Sequence, residues 1–316
     1  MKTYIIHRSL KIAVVSLCLL VAFNAGYGQT DSSQATTPGG DQSTTAKPKS
    51  AKPVKNTFES IWILDNQTVM VPIKKTFELD FMHRFGTWEN GYQGDFFGLF
   101  GSVNIRLGFN YVPIDKLLVG ISFTQYNLTW EGYAKYALLK QTPGKWPVSV
   151  TYYGDAALAT KEGSYLHNSD KWMFFNQLLI ARKFSDKFSI QVAPSITHVN
   201  SVQGFYTGDT TADGKSVLEK AMKHDHFAIA FSGKYKLSNT LNLLLNYDQP
   251  ITKHYTNNPY PNLSAGLEIN TSSHTFQVIV GNYRFITPSR NNYYNQNDYK
   301  SNQFLVGFNL TRLWNF

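Results

Sequence analysis

Beyond Phe23 the sequence has no apolar run near the ~18 residues that a membrane-spanning helix requires, and mean hydropathy is only −0.28. A helical membrane protein is therefore excluded. Thiols are almost absent too, since the single cysteine, Cys18, lies inside an N-terminal apolar run. Leu17 precedes it where a lipoprotein signal needs a small residue, so lipid attachment is not expected. Once that run is removed the chain has no thiol, disulfide or cysteine metal site. No glycine-rich phosphate pattern stands between a strand and a helix, so no nucleotide is expected and no cofactor is assigned.

A concentrated charge is missing as well. The formal net charge is +9, but 7 of the 30 basic and 2 of the 21 acidic residues precede residue 57, which leaves the body at +4. Without a basic stripe to focus that excess, no nucleic-acid partner is expected.

What remains is an exported, aromatic-rich, strand-forming chain. Lys2, Arg8 and Lys11 precede the apolar run Ile12 to Phe23, and small residues follow at Ala25, Gly26 and Gly28. That arrangement reads as a secretory signal peptide over 1–28. Residues 29–56 are mostly Ser, Thr, Gln, Pro, Gly and Lys and read as a disordered tether. Residues 57–316 form one domain, in which Phe58 to Pro72, with Ile61, Trp62, Ile63 and Leu64 in succession, precedes the first clean strand. This stretch reads as a short helix or strand at the periplasmic mouth of the barrel, or as a plug inside it.

After it, about twelve segments alternate apolar and polar side chains, as strands with one apolar face do. They lie near Phe77 to His83, Val103 to Tyr111, Leu117 to Thr124, Leu128 to Leu138, Val148 to Gly154 and Trp172 to Phe184. The rest lie near Phe188 to His198, Phe227 to Tyr235, Leu241 to Tyr247, Leu263 to Ile269, Phe276 to Tyr283 and Phe304 to Phe316. Short and long connections between them alternate, with one tight lapse at Gln125 to Asn127. A transmembrane antiparallel up-and-down β-barrel has this signature, and it hides its membrane character by alternation, so low mean hydropathy alongside 19 Tyr, 22 Phe and 6 Trp agrees with it. A soluble sandwich or jelly roll is the competing all-β arrangement. An even strand count would place both termini in the periplasm of a bacterial outer-membrane protein.

The final segment is the most regular. Phe304, Val306, Phe308, Leu310, Trp314 and Phe316 share a face with Arg312, and the chain ends on an aromatic. Phe308, Leu310, Trp314 and Phe316 are thus the expected signal for the barrel assembly machinery, with outer-membrane lipid as the other partner. Tyr111, Tyr235, Tyr247, Trp314 and Phe316, at strand ends, fit an interfacial aromatic girdle.

The opposite parity sends Glu78, Asp80, Arg106, Glu131, Lys135, Lys234, Asp248 and Glu268 into the lumen, with Asn104 and Gln191. About twelve strands enclose more space than side chains easily fill. Buried charges are costly unless paired, so these groups either pair into a plug or line a narrow passage for a small polar solute or ions.

The run His83-Arg84-Phe85-Gly86, then Asp95, Phe97 and Gly98, then Asn104-Ile105-Arg106-Leu107-Gly108, and finally Gly132 through Lys135-Tyr136-Ala137-Leu138-Leu139-Lys140-Gln141 resembles an uncharacterised family of bacterial outer-membrane β-barrel proteins, a domain of unknown function. The resemblance is clearest from Phe77 to Tyr152. It implies barrel and location, and brings no substrate or catalytic residue with it.

Some outer-membrane barrels of similar size are lipid hydrolases or proteases, which makes catalytic sets relevant. His198 with Asn200 and Ser201, and His167 with Asn168 and Ser169, place a base near a hydroxyl, but in loops where such residues abound. No catalytic residue is assigned and the chain is not expected to be an enzyme. His224 and His226, two apart, would share a strand face beside Asp225, yet a third ligand is not evident and no metal is assigned. Arg84 and Arg106 could hold the long first loop by pairing with Asp95 or Glu89. A passage, a structural or partner-binding barrel, and a hydrolase are the three readings, in that order.

Overall fold

The computed structural model of the chain describes residues 51–163 and 165–316. The expected signal peptide and nearly all of the expected tether lie outside them. A short hairpin comes first, β1 (Trp62–Ile63) and β2 (Asn66–Gln67), followed by β3 (Thr76–Thr87), β4 (Asn104–Ile114), β5 (Leu117–Thr124), β6 (Thr129–Leu139), β7 (Ser149–Ala159), β8 (Trp172–Lys183) and β9 (Phe188–Val199). A second hairpin, β10 (Gly204–Thr210) and β11 (Ser216–Lys220), interrupts the series. It then resumes with β12 (Asp225–Lys236), β13 (Leu241–Pro250), β14 (Asn262–Asn270), β15 (His274–Gly281) and β16 (Leu305–Asn315).

Twelve of these strands, β3 to β9 and β12 to β16, pair antiparallel with their neighbours, and β16 closes on β3 through pairs such as Phe308 with His83 and Leu310 with Phe81. Closure removes the open edges that lipid could not hydrogen-bond. Every strand proposed by alternation is present, and most run a few residues further. β7, for example, continues to Ala159, because its outward positions Ala156 and Leu158 keep the period after the large residues end.

Parity is kept round the wall. On β7 the odd residues Ser149, Thr151, Tyr153, Asp155, Ala157 and Ala159 are all buried, while the even ones are half-buried or exposed. Outward rings gather at the closing seam: Phe308 lies 5.9 Å from both Phe81 and Phe276 and stacks on His83 at 5.3 Å. The connections 115–116, 140–148, 184–187, 237–240 and 271–273 lie at one end, and all the longer ones, with the tight turn 125–128, lie at the other.

Residues 57–72 do not sit at the mouth. They enter from the short-turn end, beside Lys183 and Lys234, and fill the lumen. Phe58, Ile61, Trp62, Ile63 and Leu64 are each at most 2% exposed. Consecutive apolar residues fit here because the segment is enclosed on all sides, so neither of its faces meets solvent. The β1–β2 loop turns on Leu64 at φ 60°, where a two-residue hairpin favours glycine. Leu64 is nevertheless fully buried, and a Cβ on Gly266 of β14 would come within 2.6 Å of its Cδ2, so the glycine makes room for the tip.

Candidate functional site

The eight charged residues assigned inward by parity are each at most 3% exposed. What parity did not show is their partners. Lys135 donates to Gln67 Oε1 at 3.0 Å, to the Thr68 carbonyl at 3.1 Å and to that of Ile61 at 3.4 Å, three acceptors that all belong to the inserted segment. Lys234 pairs with Glu59 of the same segment at 3.1 Å. Asp248 accepts from Asn66 at 2.8 Å and from Asn246 at 2.9 Å. Glu268 stays within the wall, accepting from Asn242, Gln277 and Asn270, and Glu78 lies within electrostatic reach of Asp80 and Lys135.

Arg106 is the hub of the wall's own charges. Its Nε bonds Glu131 Oε2 at 2.9 Å, and its Nη1 is 3.9 Å from Asp80 Oδ2. The guanidinium lies over the rings of Trp62 and Tyr133, at 4.8 and 5.4 Å from their centres. Trp62, from the inserted segment, donates its indole N–H to Asp80 at 2.9 Å. Ser122 and Thr124 also donate to Glu131 Oε2, and Asn110 donates to Asp80 Oδ2. Gly120 has a local role here, because a Cβ at that position would collide with the Tyr133 ring that folds across from β6.

Neutral side chains of the wall read the segment's backbone. Gln277 takes the Trp62 carbonyl and the Leu64 N–H, Asn309 the Leu64 carbonyl, Gln191 the Gln67 carbonyl and the Val69 N–H, and Thr151 the Val69 carbonyl. Most backbone groups of a buried segment need such partners. At the tip, Asp65 accepts from Asn246 and from Asn291, which lies on a short helix, Pro288–Tyr294, folded inward from the last long loop. The lumen is thus filled from the short-turn end and capped from the long-loop end.

Several loop expectations are corrected. Arg84 and Arg106 do not hold the first loop: both have inward parity, and Arg84 is bonded to the carbonyls of His83 and Phe308 and to Asn309 Oδ1. Asp95 instead accepts from Asn90 and the Gly98 N–H, and Glu89 from Thr87 and Gln303. His198 bonds Asp225 at 2.7 Å and makes no bond to Ser201, while His167 faces Asp170 in a turn. His224 and His226 diverge, because β12 begins only at Asp225. His224 bonds the Val199 carbonyl, and His226 points inward to His254 at 2.9 Å. Among the described residues no three His, Cys, Asp or Glu side chains are grouped to hold a metal.

Asp155, inward on β7 and buried, was not among the expected lumen residues because alternation ended that strand at Gly154, one residue before it. Asn246, Gln277 and Asn309 were visible as inward by parity, but nothing in their own pattern signals their partner. Phe308, Leu310, Trp314 and Phe316 all lie on the outward face or beyond the end of β16, with Leu310 39% and Phe316 81% exposed.

Comparison with known proteins gives three findings. The family model described as "Membrane bound beta barrel domain (DUF5777)" matches residues 58–314. No curated protein matches the chain. Among solved structures, the chain is similar to the NanC porin (9% identity, 76% of this chain and 99% of that one, TM-score 0.45). It is also similar to an outer membrane channel from Pseudomonas putida F1 (10% identity, 78% and 97%, TM-score 0.39), and to the KdgM porin in complex with disordered oligogalacturonate (10% identity, 76% and 99%, TM-score 0.41).

Proposed function

The chain belongs to this family of membrane-bound β-barrel domains, and we propose that it is a bacterial outer-membrane barrel whose narrow polar lumen passes small solutes or ions when residues 57–72 withdraw. The observation that carries this reading is the allegiance of the lumen side chains. Lys135 spends all three of its bonds on the inserted segment, and Lys234 spends its ion pair there. A wall built only to be a rod would pair these two lysines internally as well, as it does Arg106 with Glu131, since an unpaired buried charge is expensive. This wall is matched to a segment tied to it through a single chain connection, 73–75, before β3.

Without that segment the wall keeps six buried acids (Glu78, Asp80, Glu131, Asp155, Asp248 and Glu268) against four buried cations (Arg84, Arg106, Lys135 and Lys234) among the described residues. The open lumen therefore favours cations, because lumen charge sets selectivity. In planar bilayers the full chain is expected to be nearly silent, and a chain lacking residues 29–72 to show salt-dependent, cation-preferring conductance. Lys234→Glu in the shortened chain should strengthen the preference. A shortened chain that assembles into a heat-modifiable barrel and stays silent would refute the passage.

In the same reading both termini and the short turns face the periplasm, and Phe308, Leu310, Trp314 and Phe316 form the signal read by the assembly machinery. A tag near Gly208 should then be labelled on intact cells by impermeant reagents, and deletion of Phe316 should deplete the membrane-inserted form.

A further inference from the structure

A second feature lies at the opposite end of the barrel from the entry of the segment. The long loops enclose a cavity of about 740 Å³, lined on its aromatic side by Tyr126, Tyr165, Phe285, Tyr293 and Tyr294 together with Arg290. That volume falls in the range of small-molecule sites. Arg290 is only 4% exposed, yet no carboxylate of the described residues pairs with it. Its Nη2 donates to the Tyr165 hydroxyl at 3.2 Å, its Nε has no partner among the described residues, and its guanidinium lies 5.4 Å from the Tyr126 ring centre and 5.9 Å from that of Tyr294.

We propose that this cavity binds an acidic sugar, with the carboxylate on Arg290 and the ring against the tyrosines. A buried guanidinium without a counter-ion, held between aromatic faces, is a prepared receptor for one carboxylate, which it can engage through two parallel N–H donors. The rest of the lining decides the class of anion. It includes Asn127, Gln203, Asn257 and Gln296, whose primary amides are each both donor and acceptor, that of Gln296 donating to the Asn257 carbonyl. Sugar hydroxyls match such groups, whereas an aromatic acid would leave them unpaired. The one carboxylate in the lining, Asp170, already accepts from the His167 N–H and the Ser169 hydroxyl within its turn, so it does not occupy Arg290.

The test is isothermal titration of the full chain in detergent with cellobiuronate, and with cellobiose, which differs from it by lacking the carboxylate. One charge-assisted pairing predicts about tenfold or greater preference for the acid. In R290Q, cellobiuronate should fall to the affinity of cellobiose while cellobiose is unchanged. Equal affinities in the wild type, or absence of heat from both sugars, would overturn the proposal, and so would acetate binding as tightly as cellobiuronate. The wild-type comparison decides even if R290Q fails to assemble. It is read without conductance, so its outcome is independent of the passage reading.

Discussion

Leu245 and Asn246 are neighbours on β13, and they are held by different physics. Leu245 is 53% exposed on the outer face. Asn246 points inward and bonds Ser232, Asp248, and both Asn66 and Asp65 of the inserted segment. The same contrast runs round the whole wall. The outer face asks only that a side chain be apolar and of suitable size, while the inner face asks for a particular donor or acceptor at a particular place. A barrel can therefore vary outside and stay a barrel, whereas a single inward change alters what the lumen holds.

The largest breach of that contrast is expected at Lys135. Lys135→Glu removes three bonds to the inserted segment and places an anion near Glu78 and Asp80. Breaking a buried charge arrangement in this way costs about 3–5 kcal/mol. The expected result is a folded barrel whose residues 57–72 become accessible to protease and whose conductance rises. A silent, protease-resistant variant of unchanged stability would show that the segment is held by apolar burial alone.

Next in size is Phe308→Arg, which puts a cation on the outer face at the aromatic seam of β15, β16 and β3. It should cost about 2–4 kcal/mol in lipid if the site is near the bilayer midplane, measured by reversible unfolding into denaturant. Asn309→Arg, one residue on, meets a different obstacle, since Asn309 binds the Leu64 carbonyl and Gln277 and accepts from Arg84 in a filled lumen. It should be costly in the full chain and well tolerated once residues 29–72 are deleted. Phe308→Arg should remain costly in both, and that crossing of effects separates the two faces.

Trp62→Phe is the third. The ring volume over Arg106 is largely kept, but the indole N–H to Asp80 is lost. A hydrogen bond to a charged group contributes about 1.5–3 kcal/mol, and the loss should appear as faster exchange of the backbone amides of residues 57–72, with the wall unaffected. Equal loosening of the wall would mean that segment and wall fold as one unit.

The two faces were also unequally legible in the sequence. Period-two alternation marked the strands and assigned Glu78, Arg106, Lys135 and Lys234 inward, because parity is a local property of the chain. Partners are not local. Lys135 meets Gln67 and Thr68 from 68 and 67 positions along the chain, and Gln277 meets Trp62 from 215 positions along it. Residues 61–64 carry no alternation, since they are enclosed on all sides, so periodicity could not choose between mouth and plug. Arg290 was hidden for a related reason: its importance rests on a counter-ion that is missing, and a sequence displays only the residues present.

The smallest effect is expected from Leu245→Ile, and its smallness is the point. The substitution keeps volume and apolar area on the exposed outer face, so no cavity is left and no donor or acceptor is stranded. Surface changes away from special features stay within about 0.5 kcal/mol. Asn246→Leu, on the adjacent inward position, keeps nearly the same volume but strands Asp65 and Ser232, each of which bonds to the Asn246 amide. Unsatisfied buried partners cost about 1–3 kcal/mol each, so the pair should differ clearly in unfolding midpoint. Deleting residues 29–72 removes Asp65 from that account and should narrow the gap. If Leu245→Ile proved as damaging as Asn246→Leu, the outer face would be packed against something more specific than lipid, and the division between the faces would have to be redrawn around a protein neighbour at β13.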